Sequence, residues 1–117
     1  ASAMAAAALV ELAGGTPAMA GHAVAIALKN ILGLVCDPVA GLVEIPCIKR
    51  NAGGVANAFA AAEMALAGIE SAIPPDEVIL AMKRVGDQLP RSLKETAEGG
   101  LAVTPTGLRL RKELFGS

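Results

Sequence analysis

Runs of small, helix-forming residues, each cut off by glycine or proline, constrain this chain more than any other feature. Residues 3–13 are alanines with Met4, Leu9, Val10, Glu11 and Leu12, mostly strong helix formers. Gly14-Gly15 ends that run. Thr16-Pro17 then pairs an N-cap hydroxyl with proline at the first helical position, where its missing N–H costs nothing. A second helix is predicted over about 17–32, apolar nearly all round and therefore buried, with Gly33 closing it. Asn51 can cap a third, alanine-rich helix over about 52–69, in which Ala52, Gly53, Gly54, Ala56, Ala60 and Ala61 permit close backbone approach. Pro74-Pro75-Asp76-Glu77 opens a fourth to about residue 89, with acids favourable to the helix dipole and Val78, Met82, Val85 and Leu89 at 3–4 spacing. Pro90 opens a short helical segment to about Ala97, stopped by Gly99-Gly100. Thr104-Pro105 or Thr106 starts a last helix to about Phe115. No stretch alternates with period two for long. The expected fold is all-α: a compact bundle of about five helices, one domain over 1–117, with an irregular loop at one end.

That loop is residues 33–50. Pro38 and Pro46 push Asp37 and Ile45 out of the α region, and residues 42–45 have a brief strand-like character.

Composition narrows the functions. Hydrophobic residues make up 54% against the roughly 45–50% usual for globular chains, which excludes disorder. A net charge of −1, no Trp or Tyr and only two Phe leave nothing to track or stack a nucleic acid. Two cysteines cannot staple a secreted scaffold. Mean hydropathy is +0.56, yet the most apolar stretch, residues 18–28, contains His22 and falls short of the roughly 20 residues that span a bilayer. Ala1-Ser2-Ala3-Met4 has neither a basic n-region nor a starting Met and reads as a helix cut open. The chain is therefore expected to be a fragment whose surplus apolar surface faces protein absent from it, or a second copy of itself.

Unusual chemistry concentrates in the segment from Cys36 to Asn51. The C-x10-C spacing matches no zinc ribbon and no ferredoxin run, so two buried small hydrophobes remain one reading. Ligation is the other. Prolines shape the loop, each cysteine adjoins a helix, and Cys47 lies near a helix start where amide dipoles, Lys49 and Arg50 favour the thiolate. Lys49, Arg50 and Asn51 could reach a substrate carboxylate or hydrogen-bond metal-bound sulfur; otherwise they are a solvated helix start with Asn51 as its cap. His22, the only histidine, shares a helix face with Lys29 and reads as a satisfied core or interface residue. Asp37 reads as a turn-former bonding local backbone, Glu44 as exposed, and Gly53-Gly54 as helix packing. Arg109, Arg111 and Lys112 read as a solvated face or a subunit contact.

The run Asn30-Ile31-Leu32-Gly33-Leu34-Val35-Cys36-Asp37-Pro38-Val39-Ala40-Gly41, followed by Glu44-Ile45-Pro46-Cys47-Ile48-Lys49-Arg50-Asn51-Ala52, closely resembles the α part of the iron–sulfur-dependent L-serine dehydratases. Ile73-Pro74-Pro75-Asp76-Glu77-Val78 and Glu98-Gly99-Gly100-Leu101-Ala102-Val103-Thr104-Pro105-Thr106-Gly107 are similar to the C-terminal part of the separate α subunit in two-subunit members. The resemblance implies a cytoplasmic lyase of amino-acid degradation that converts L-serine to pyruvate and ammonia on a [4Fe–4S] cluster with three cysteine ligands. Cys36 and Cys47 would be two of these. A third cysteine is missing and is expected upstream of Ala1, and a β subunit is expected as partner. The fragment alone would be inactive and its cluster absent; no general base is assigned. Two alternatives stand beside this: a non-enzymatic helical interaction domain, and a structural metal site such as zinc on Cys36, Cys47, His22 and a carboxylate.

Overall fold

The computed structural model describes residues 1–116. Among them are five α-helices: α1 Ser2–Leu12, α2 Pro17–Lys29, α3 Cys47–Leu66, α4 Pro75–Gln88 and α5 Pro105–Phe115. Three short 3-10 segments, Val39–Gly41, Arg91–Leu93 and Gly100–Val103, interrupt the connections. The only β-type pairing among the described residues is an isolated parallel bridge between Cys36 and Lys94. The fold is all-α, as predicted. Contacts divide the described residues into two compact units: residues 1–33 with 52–87, and residues 34–51 with 88–116.

The first unit packs α1, α2 and α3 through Ala6 and Val10, through Ala23, Ile26 and Ala27, and through Ala58, Ala61, Ala62 and Ala65. Those positions recur every three or four residues and so line one stripe of each helix. With methyl groups at most of these contacts, the backbones approach closely enough for polar staples between them. The Asn57 amide donates to the Ala27 carbonyl at 3.0 Å, capping an oxygen that the end of α2 leaves without a helical partner, and to Ser2 Oγ at 3.1 Å. Ser2 Oγ in turn donates to the Gly54 carbonyl at 2.8 Å. A Cβ on Gly15, in the α1–α2 turn, would lie 2.5 Å from Val10 Cγ1, so this turn demands glycine for space.

In the second unit α5 packs on the 3-10 segments Val39–Gly41 and Gly100–Val103. Its buried residues are Asp37, Pro38, Val39, Ala102 and Gly107.

The predicted cap signals stand where they were expected. Thr16 accepts from the Met19 amide and Thr104 from the Gly107 amide, each ahead of a proline at the first helical position. Four expectations need correction. Helix α3 begins at Cys47, because the Pro46 carbonyl already accepts from the Arg50 amide at 3.1 Å; Asn51 is thus inside the helix and does not cap it. Residues 42–45 form no strand: Leu42 alone is extended, residues 43–46 are a turn, and the Val39 amide donates to the Ile45 carbonyl. Gly100 does not stop a helix but opens a 3-10 segment with φ +59°. The all-round apolar helix α2 finds much of its cover inside its own unit. Ala23, Ala25, Ile26 and Ala27 are buried, and the larger exposed apolar side chains lie elsewhere, among them Met4, Leu12, Val55 and Phe59.

Candidate functional site

Cys36 and Cys47 are free thiols in the second unit, Cys36 exposed and Cys47 half-buried. Cys47 is the first residue of α3. Cys36 lies in extended backbone whose polar groups are both used: its amide donates to the Leu93 carbonyl at 2.9 Å and its carbonyl accepts from the Glu95 amide at 2.8 Å. Partial desolvation pushes the Cys36 thiol up despite its exposure, and the negative charges of Glu95, Cys47 and Asp37 add to this against the pull of Arg50. Arg50, one turn after Cys47 in α3, bonds the Val35 carbonyl and the Asp37 carboxylate on either side of Cys36, which brings the two cysteine residues into one neighbourhood.

Asp37 is the most informative residue of the segment. It is 2% exposed. Oδ1 accepts from Arg50 Nη1 at 2.7 Å, and Oδ2 accepts from the Leu101 amide, 64 residues away, at 2.7 Å. Burial pushes this carboxyl up, but the Leu101 amide and the Arg50 guanidinium outweigh it and hold it below its ordinary value. The same Arg50 nitrogen also donates to the Val35 carbonyl at 3.0 Å. Gly100 completes the arrangement: any Cβ there would collide with the Asp37 carboxylate. The expectation that Asp37 bonds local backbone holds only in a minor way, through its own amide; its chief partners are the Leu101 amide and Arg50. A proline-flanked acid gives no local sign of a partner so far along the chain.

Arg50 is engaged with the loop, whereas Lys49 and Asn51 are exposed on the first turns of α3. Glu44 is exposed as expected and rims an apolar cleft of about 170 Å³ between the loop and α5, lined by Val39, Leu42, Ile45, Leu110 and Leu114. His22 belongs to the first unit. Its Nδ1 accepts from the Ser71 amide at 3.0 Å, while Lys29 Nζ donates to Ser71 Oγ at 3.1 Å, so the shared face of His22 and Lys29 converges on one buried serine. This is a satisfied histidine. Among the described residues no group of three or more His, Cys, Asp or Glu side chains gathers to hold a metal. Arg109 pairs with Glu113 one turn on, at 2.6 Å, on an exposed face.

Known proteins share this sequence closely. The chain is 66% identical over 116 residues to a probable L-serine dehydratase, alpha chain, of Bacillus subtilis (strain 168), covering 99% of this chain and 39% of the relative. It is 58% identical over 115 residues to the L-serine dehydratase, alpha chain, of Peptoniphilus asaccharolyticus, covering 98% and 39%. The L-serine dehydratase TdcG of Escherichia coli (strain K12) is 46% identical over 101 residues, 86% of this chain and 22% of the relative. The chain thus spans well under half the length of these three relatives. Residues 1–102 match the sequence family described as serine dehydratase alpha chain, and this chain belongs to that family.

Proposed function

We propose that this chain is part of an enzyme that converts L-serine to pyruvate and ammonia, in which Cys36 and Cys47 supply two thiolates to a [4Fe–4S] cluster. The observation that carries the reading is the pair of free thiols in one unit, one on the first residue of a helix and the other on backbone braced at both its amide and its carbonyl. Thiolate is the donor that cluster irons take, so the residues fit in kind. They fall short in number, because no third ligand joins them among the described residues. The set would be completed by protein beyond these residues, with a β subunit as the expected companion of an α chain.

When bound, an iron without a cysteine ligand supplies Lewis acidity toward the serine hydroxyl, a poor leaving group. The chain's own residues bind and orient. Lys49, exposed on the first turn of α3, offers a cation to the substrate carboxylate, and Asn51, two positions on and facing another side of the helix, offers an amide. Net elimination takes the Cα proton and the hydroxyl away as water. The aminoacrylate left behind tautomerises and takes up water again, giving pyruvate and ammonia.

The test is iron and acid-labile sulfide content, with serine turnover, in the full-length protein prepared without oxygen. Iron and sulfide in equal amounts are expected in the native protein, with both cluster and turnover lost in Cys36→Ser and in Cys47→Ser. Serine dehydration by an iron-free preparation, or a full cluster in either variant, would refute the assignment.

A further inference from the structure

One arginine holds the backbone on both sides of Cys36. Arg50 Nη1 donates to the carbonyl of Val35 at 3.0 Å and to the carboxylate of Asp37 at 2.7 Å, and these are the two sequence neighbours of Cys36. Arg50 itself sits three residues after Cys47 in α3, one helical turn on. A short connection therefore runs from the residue carrying one thiol, through a single side chain, to both flanks of the residue carrying the other. The second oxygen of Asp37 is taken by the Leu101 amide at 2.7 Å, and the peptide groups of Cys36 are taken by Leu93 and Glu95. The backbone of Cys36 cannot shift without breaking several of these bonds together.

The chemistry of the pair fits that work better than substrate binding. A carboxylate this buried persists only when it is paired, and an ion pair of this kind contributes more to conformational specificity than to stability. Arginine suits it because its rigid fork can serve two oxygens at once. Gly100 is required on the far side, since a side chain there would displace the carboxylate. We infer that Arg50 and Asp37 are positioning residues that set the Cys36 thiol relative to the Cys47 thiol, so that both can bond one thiophilic centre. Its use for a cluster rests on the proposed function; the geometry belongs to the chain with no cluster bound.

A trivalent arsenical separates the two. Phenylarsine oxide bonds two neighbouring thiols. The arsenic–oxygen link gives way to two arsenic–sulfur bonds, the oxygen leaves with both thiol protons as water, and the arsenic oxidation state is unchanged. The full-length protein, stripped of iron without oxygen, is titrated as wild type, R50A, R50K and D37N, and the adduct is located by peptide mass mapping. Wild type is expected to hold one arsenical across Cys36 and Cys47. R50A and D37N are expected to lose about 10- to 100-fold in its affinity, the scale on which outer residues act on bound metal. R50K is expected to recover part of the loss. Alkylation by iodoacetamide needs no partner and follows the thiolate fraction alone, so at Cys36 it should slow in R50A, which loses the pull of Arg50, and quicken in D37N, whereas capture falls in both. If R50A melts, D37N, close to Asp in volume and still able to accept from Leu101, carries the comparison. Wild-type capture by both variants overturns the inference, as does a wild type whose thiols react only singly. A raised KM for serine in R50A with undiminished capture also overturns it, by making Arg50 a substrate residue. Absence of iron and sulfide from the native protein defeats the proposed function and leaves the arsenical result to decide the positioning.

Discussion

In the first unit the buried core is Ala6, Val10, Ala23, Ile26, Ala27, Ala58, Ala61, Ala62 and Ala65; in the second the buried residues are Asp37, Pro38, Val39, Ala102 and Gly107. The first is helix against helix, held by many weak dispersion contacts at short range, so its cohesion is spread over three stripes of methyl groups. The second gathers loop, turn and helix start around one carboxylate with two strong partners. Spread cohesion tolerates the loss of any one alanine contact. Cohesion centred on a charged group fails at a point, and that point adjoins the thiols. The difference shows how one chain can combine a generic scaffold with a site whose geometry is set by a few bonds.

Mutations can break or sharpen this contrast. The largest effect is expected where the first unit is least redundant. Ile26 is one of its few large buried side chains, and Ile26→Ala should cost about 2–5 kcal/mol in denaturant unfolding. Arsenical capture by the protein that remains folded should be unchanged; a loss of capture in that folded fraction would contradict the division of labour. Next, Gly100→Ala should cost about 1–3 kcal/mol, because it adds a Cβ at φ +59° and drives the Asp37 carboxylate off the Leu101 amide. Hydrogen exchange should show protection lost at the amides of Leu101, Cys36 and Glu95 and kept in α1 and α2; uniform loss across both units would show that the carboxylate is not a local centre. The two cap threonines offer a matched pair. Thr16→Ala and Thr104→Ala should each cost about 1 kcal/mol, the first in the helical unit and the second in the loop-rich one. Each variant should lower the melting of its own unit only; melting curves in which both lower one shared transition would mean that the units unfold together. The smallest effect is expected for Arg109→Ala, whose exposed pair with Glu113 is worth about 0.3–0.5 kcal/mol. A drop beyond about 1 kcal/mol, the upper end for exposed pairs, would place that face in a contact rather than in solvent.

The contrast also explains what the sequence could reveal. The starts of α2, α4 and α5 were legible because hydroxyl, proline and early acid act within four residues of one another. The packing stripes were only partly legible: α2 read as apolar all round, and of the six small residues expected to permit close approach in α3 only Ala61 is buried, the stripe running instead through Ala58, Ala61, Ala62 and Ala65. The start of α3 was not legible. Pro46 reads as a loop residue until its carbonyl is seen accepting from Arg50, and Asn51 offers a plausible cap that the helix does not need. The surroundings of the thiols were hidden for a different reason. Cysteine, proline and basic residues marked the segment, but what fixes it comes from Leu93, Glu95, Gly100 and Leu101, four residues with no polar side-chain signal in common. Three of them act through the backbone alone, and backbone amides and carbonyls look the same at every position of a sequence.

The braces on Cys36 have a consequence in the order of synthesis. Leu93, Glu95 and Leu101 leave the ribosome after all of α3 and α4, and chains fold from the N-terminal side as they emerge. The methyl-lined helices can therefore assemble while the loop still lacks its anchors. Throughout that interval the nascent polypeptide carries two thiols with no fixed separation, open to oxidants and to stray metal ions. The site matures only once residue 101 is free, so whatever the thiols finally hold meets a loop whose helical neighbours α3 and α4 are already made.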